Sequence, residues 1–273
     1  MLQGKKLVIT GVVTADSIAF ATARRALDLG AEVLLTAPDR DRERAQEAAT
    51  ALGCDLRALD VNDPAGWEAL AVEVGDRWGH LDGALHAVAF APADALDGDF
   101  FAARTDSLTI AFHTSASSYA ALAGLVGRLA PAAGGSVVGL DFDAAGAWPT
   151  YNWMGVMKAA LEATSRYAAR DLGPRRVRSN LIAAGPLATR AAGGIPGFPL
   201  LLQAWADRSP IHWDSTDPGP VADTACFLLS DLARAITGEI IHVDGGYHAM
   251  AGPLRASLNP ADGADLSPVD SPA

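Results

Sequence analysis

The strongest constraint on this chain is a regular alternation of short apolar runs with longer amphipathic segments, sustained from Lys6 to Val243. The strand candidates are Lys6–Thr10, Glu32–Thr36, Asp55–Asp60, Gly83–Val88, Gly135–Phe142, Val177–Ala183 and Glu239–Val243. Several are continuous and rich in β-branched residues, the pattern of parallel strands covered on both faces. Between them, helical character is expected over Ser17–Leu29, Asp39–Leu52, Pro64–Trp78, Asp106–Leu129, Tyr151–Leu172 and Val221–Ser230. Gly30, Gly53, Gly79 and Gly173 each stand just past a helical run, where a helix stop is expected. Strands that alternate with helices predict an α/β fold, a doubly wound seven-stranded parallel sheet with right-handed crossovers. No shift in composition divides the chain, so residues 1–251 are read as one domain. Residues 252–273, rich in Pro, Asp, Ser and Ala, are read as a disordered tail.

Composition removes several function classes. A formal net charge of −11 argues against a nucleic-acid partner, whose phosphates are met largely by Lys and Arg. The one basic concentration, Arg175, Arg176 and Arg178, is read first as a solvated turn and second as a docking patch for an acidic carrier. Cys54 and Cys226 lack metal-ligand spacing and are too few for a disulfide framework, so both are expected reduced and no metal site is expected. Lys5 and Lys6 precede an apolar stretch, but Asp16 interrupts it and no small-residue cleavage site follows. No run reaches membrane-spanning length, and a soluble, cytoplasmic protein is expected.

The first strand runs into Gly11-Val12-Val13-Thr14-Ala15-Asp16-Ser17-Ile18 and then a helix. Such a turn presents backbone N–H groups and a helix N-terminus to a pyrophosphate, which makes the fold Rossmann-like. Gly11 lets the chain turn sharply and the phosphates come close, Asp16 or Ser17 caps the helix, and the Ser17 hydroxyl can bond a phosphate oxygen. The G-x-G-x-x-G pattern is absent, so an ordinary strand–helix turn has equal standing. After the second strand, Asp39 and Arg40 leave NAD versus NADP open, with Asp39 read first as a helix N-cap. After the third, Asp60 by a hydrogen bond and Val61 by apolar contact could hold the adenine, against a plain strand-end turn. The small residues Ala87, Val88 and Ala89 would let backbone approach a dinucleotide, and His86 is read as structural.

The sharpest constellation is Gly139-Leu140-Asp141-Phe142-Asp143, then Tyr151-Asn152-Trp153-Met154, then Lys158. Seven helical steps fall roughly 20° short of two turns, so Tyr151 and Lys158 face one groove if Tyr151 opens the helix. A lysine ammonium near a phenol favours phenolate and eases proton donation. The same lysine could hold a nicotinamide ribose. Many short-chain dehydrogenases use Tyr-x-x-x-Lys with a serine thirteen residues before the tyrosine; here those places hold Gly155 and Val138. A carbonyl reductase of that kind is disfavoured.

On these motifs, together with Arg178-Ser179-Asn180, Ala184-Gly185-Pro186 and Val243-Asp244-Gly245-Gly246, residues 1–250 resemble the NADH-dependent enoyl-acyl-carrier-protein reductases, in particular their long-chain, actinobacterial-type branch. The resemblance implies reduction of an enoyl thioester carried on acyl carrier protein or coenzyme A, with NADH as cofactor. It implies that Tyr151 bonds the thioester carbonyl and stabilises the enolate, with the α-carbon proton coming from water or from Tyr151. It implies Lys158 on the ribose, Phe142 beside the nicotinamide, Leu187 at the carboxamide, Thr189 at the pyrophosphate or carboxamide, Gly11, Ser17, Ile18, Asp60, Val61, Ala87, Val88 and Ala89 along the rest of the cofactor, and a homotetramer. The chain departs from the family pattern where Ala87 and Ala89 replace a usual Ser and Gly, and where Pro38 replaces a larger residue. It departs again in Arg190–Ser209, a shortened substrate-binding loop. Those departures keep a nucleotide-binding protein without catalysis as the competing expectation.

Overall fold

The computed structural model describes residues 1–149 and 151–252. Seven parallel strands form one sheet in the order β3-β2-β1-β4-β5-β6-β7. They are β1 (Lys6–Thr10), β2 (Glu32–Ala37), β3 (Asp55–Ala58), β4 (Gly83–His86), β5 (Gly135–Asp141), β6 (Val177–Ala184) and β7 (Ile240–Val243). Strand order reverses between β1 and β4, the switch point outside which doubly wound sheets place a ligand crevice.

Each strand sends alternate residues to opposite faces, and both faces are buried. Leu7, Ile9, Leu85, Val138 and Ile182 pack with α1 (Ile18–Asp28) and α9 (Gly219–Leu229). Val8, Ala84, Val137 and Leu181 pack against α3 (Pro64–Trp78), α6 (Ser118–Leu129) and α7 (Asn152–Leu172). This double covering explains why the strands read as unbroken apolar runs. At Gly139 a Cβ would lie 2.9 Å from the Tyr119 ring of α6, so glycine there lets a fully buried tyrosine sit against the sheet.

The expected elements are present, with differences at their ends. β4 stops at His86 and β5 at Asp141, so Ala87, Val88 and Phe142 leave the ladder and turn towards the crevice. The single helix expected over Asp106–Leu129 is interrupted: α5 (Thr105–Phe112) and α6 are joined by a π turn, His113–Ser117. Asp39 does not cap α2 (Arg42–Leu52); it opens a 3-10 turn, Asp39–Asp41, behind Pro38. Gly53 and Gly79 adopt the left-handed conformation at the ends of α2 and α3, as does Gly30 just past the end of α1. Gly173 does not: its φ is −52°, a 3-10 turn continues through Pro174, and Arg176 takes the left-handed place at φ 59°.

Two helices were not expected. A short α4 (Ala93–Leu96) follows the β4 loop, and α8 (Phe198–Arg208) lies where a loop was anticipated. Pro199 sits in its first turn, where a missing N–H costs nothing, and Phe198, Leu201 and Trp205 recur on one buried face. Both cysteines are free thiols, and among the described residues no helix is long and apolar enough to cross a membrane. The expected tail lies, apart from Gly252, outside the described residues.

Candidate active site

A groove and an apolar cleft meet at the carboxyl ends of β1, β4, β5 and β6. The groove begins at Gly11, whose φ is +77° and whose Cβ would lie 2.2 Å from the Ala87 carbonyl oxygen. Only glycine permits this close crossing of the β1 and β4 loops. Ser17 is the N-cap of α1: its Oγ accepts from Phe20 N (3.1 Å) and donates to Thr14 O (2.8 Å). The capping alternative at Asp16 is therefore not taken. The amides of Ile18 and Ala19 have no intrahelical partner by helix geometry and stand at the groove. Such a helix N-terminus suits a pyrophosphate.

Adjoining the groove at Gly11, a slot of about 90 Å³ is lined by Gly11, Pro38, Asp60, Val61, Val88 and Thr114. Asp60 Oδ1 accepts from Asn62 N (2.9 Å), the bond of a plain strand-end turn, and the residue also lines the slot. The π turn organises this slot. Thr114 Oγ1 accepts from Asn62 Nδ2 (3.0 Å), while Ser115 Oγ donates to Phe90 O and accepts from Phe90 N (3.0 Å each). Ala87, Val88 and Ala89 all border the groove, as the sequence indicated.

The cleft encloses about 450 Å³ between β5, the start of α7 and α8. Tyr151 occupies the N-cap position of α7 and Lys158 lies two turns on; both line the cleft and both are buried. The expected shared groove is present, but the expected electronic pairing is not. Lys158 Nζ donates to Leu140 O at 2.9 Å, and burial together with the charge of Asp141 raises the Tyr151 phenol above its ordinary range. That shift runs against phenolate formation. Its hydroxyl makes no hydrogen bond among the described residues.

Phe142 stands beside it, with ring centroids 5.0 Å from both Tyr151 and Trp148 and 5.7 Å from Trp205. The Tyr-Asn-Trp motif anchors the opposite wall. Asn152, held at φ 37°, donates to Gly98 O (3.2 Å), and Trp153 stacks on Phe100 at 4.7 Å. A left-handed φ is tolerated better by Asn than by most residues. Leu187 is buried at the cleft, and Thr189 borders both cleft and groove, its Oγ1 accepting from Ala192 N (3.3 Å). His86 is buried and neutral, pushed down to about 3 by burial and by Lys158, and among the described residues no cluster forms a metal site.

The sequence profile of the family described as "Enoyl-(Acyl carrier protein) reductase" matches residues 11–248. The chain is 42% identical to the enoyl-acyl-carrier-protein reductase (NADH) of Mycobacterium avium over 266 residues, covering 90% of this chain and 97% of that protein. It is 39% identical to the corresponding NADH enzyme of Escherichia coli (strain K12) over 255 residues, covering 92% and 96%. The chain belongs to the enoyl-acyl-carrier-protein reductase family.

Within this reductase, several site residues were not singled out beforehand. Ile195, Phe198 and Leu201 join Met154 of the Tyr151–Met154 motif in the apolar wall of the cleft, and the helical spacing of Phe198, Leu201 and Trp205 was the available signal. Asp16 Oδ2 accepts from Arg190 N (2.9 Å) and ties the turn after β1 to the segment before α8; no local pattern marks that contact. The Arg175, Arg176 and Arg178 cluster lies at the opposite, amino-terminal end of the strands, at the start of β6, where Arg178 Nη2 donates to Ser230 O. A carrier docked there would face away from the cleft.

Proposed function

We propose that this chain reduces the carbon–carbon double bond of an enoyl thioester, carried on acyl carrier protein or coenzyme A, with NADH. The observation that carries the reading is the unengaged Tyr151 hydroxyl at the head of an apolar cleft that opens directly onto the dinucleotide groove. The NADH-specific names of the relatives support the cofactor choice. The cradle at Gly11, the first-turn amides of α1 and the slot at Asp60 and Val61 fit a dinucleotide, with Ser17, Ala87, Val88, Ala89, Leu187 and Thr189 along its length.

When bound, the cofactor supplies a hydride to the β carbon. Tyr151 donates its phenolic hydrogen bond to the thioester oxygen as negative charge develops there, which lowers the barrier because the donor is already in place. A neutral phenol suits that task, since it carries the proton it shares as the charge develops; a proton from water or from Tyr151 then completes the reduction at the α carbon. Lys158 holds the nicotinamide ribose, and Phe142 keeps the reacting bond against the nicotinamide and excludes water. The active unit is residues 1–251, assembled as a homotetramer; light scattering at the mass of one chain would overturn the assembly.

The deciding experiment follows NADH oxidation with enoyl thioesters of graded length, beside NADPH and a β-ketoacyl thioester. Turnover with enoyl substrates and none with the ketone is the expected outcome. Tight NADH binding without any enoyl turnover would transfer the weight to a binding protein without catalysis.

A further inference from the structure

Beneath the cleft lies a buried carboxylate that neither hydride transfer nor oxyanion stabilisation uses. Asp141 is 5% exposed, and neither carboxylate oxygen has a hydrogen-bond partner among the described residues. A buried acid left so costs stability unless something compensates. Register pairs His86 of β4 with Gly139, so Asp141, two residues on, shares the face of the sheet that α6 and α7 cover. His86 itself is spoken for: the Ser118 hydroxyl donates to Thr114 O (2.7 Å) and so accepts from His86 Nε2 (2.7 Å), leaving Nδ1 as a bare acceptor.

The ionisable groups around Asp141 leave one natural counterpart. The ionisable groups that act on it are Lys158 and Glu162 from α7, Tyr151 at the start of that helix and Asp143 from the loop after β5, while neutral His86 from β4 lies near Lys158. Asp143 is occupied with His242 of β7 at 3.5 Å. Glu162 accepts from Ala144 N (3.2 Å) and meets Arg166 at 3.8 Å. Lys158 is buried too, and one of its three N–H groups is spent on Leu140 O, the carbonyl next to Asp141. Burial pushes Lys158 towards the neutral amine, and the charge of Asp141 opposes that push.

We propose that Asp141 is a positioning residue, whose carboxylate holds Lys158 as an oriented ammonium so that its remaining N–H groups meet the nicotinamide ribose. The proposal rests on the assignment of Lys158 to the ribose. In a low-dielectric interior an anion beside a lysine favours its charged form strongly, and a charged donor binds a hydroxyl more tightly than a neutral one.

The test is NADH binding without acyl substrate, by fluorescence titration from about pH 6 to 10, below the ordinary lysine value of about 10.4, where a lowered lysine loses its proton. The proteins are wild type, D141N, D141E, K158A, K158R and the D141N/K158R double variant. D141N should weaken NADH about tenfold near pH 8, the loss expected of a charge-assisted contact, and should move the alkaline fall in affinity to lower pH. D141E should recover part of both effects. In the K158R background the guanidinium stays charged, so adding D141N should leave the pH profile unmoved. If D141N does not fold, D141E carries the test, with an alkaline limb between those expected for wild type and D141N. Unchanged affinity in K158A would overturn the ribose assignment and the proposal with it. Weakened binding in K158A beside wild-type behaviour in D141N, or a D141N loss that is the same at every pH, would overturn the proposal alone.

Discussion

Tyr151 and Lys158 show how far residue chemistry depends on what surrounds it. Their spacing places both in one cleft, yet the lysine turns to Leu140 O and the phenol is left weakly acidic by burial and by Asp141. On the proposed mechanism the tyrosine donates a hydrogen bond, and its removal should affect the transition state more than cofactor binding. Tyr151→Phe should lower kcat by about 10²–10³-fold, the range seen for loss of one oxyanion donor, with NADH affinity within about twofold of wild type by fluorescence titration. An equal loss of both would remove the assigned role. The ring remains in Phe, so the contact with Phe142 at 5.0 Å is preserved and the comparison isolates the hydroxyl.

At the scale of elements, most of the fold was legible because the sheet is covered on both sides. β1 and α3 fall on the residues expected, and the other strands differ by two residues or fewer at either end. The ends of β4 and β5, both expected too long, have a common cause. Ala87, Val88 and Phe142 are as apolar as the strand residues before them, but they face a ligand groove and not a neighbouring strand. Sequence pattern reports burial, and it does not separate burial by protein from burial by cofactor. α8 was hidden for another reason: Gly193, Gly194, Pro196, Gly197 and Pro199 punctuate the segment and mask the helical spacing of Phe198, Leu201 and Trp205. Nor could any local pattern disclose the contact from Asp16 to Arg190 N, 174 positions apart. That contact should govern how firmly the segment before α8 closes over the cleft. Asp16→Ala removes one hydrogen bond to a charged acceptor, worth about 1.5–3 kcal/mol where well made and less at this exposed site. It should speed tryptic cleavage after Arg190 several-fold and raise KM for the enoyl thioester, with Tm nearly unchanged. Cleavage and KM both at wild-type values would show that the segment is held by α8 alone.

At the scale of the molecule, the site works against the stability of the fold, and pH separates the two. Asp141 is pushed up to about 7 from an ordinary value of 3.8, first by burial, with Lys158 opposing. A carboxyl raised in the folded state contributes stability that is present below the unfolded value and is lost as pH rises through the folded one. His86 runs the other way. It is lowered to about 3 from 6.5, so its contribution is present above 6.5 and is lost as pH falls towards 3. Between these limits the two slopes oppose each other, and the pair flattens the pH dependence of the native state. Asn mimics the protonated carboxyl and removes one slope. D141N should therefore match wild type in Tm near pH 4 and exceed it increasingly towards pH 7 and above, as followed by circular dichroism at each pH. The variant expected to be more stable is the one expected to bind NADH less well, which is the trade that a functional buried charge imposes. A Tm difference that stays constant from pH 4 to 8 would mean that Asp141 ionises alike in the folded and the unfolded chain, and that burial does not raise its carboxyl.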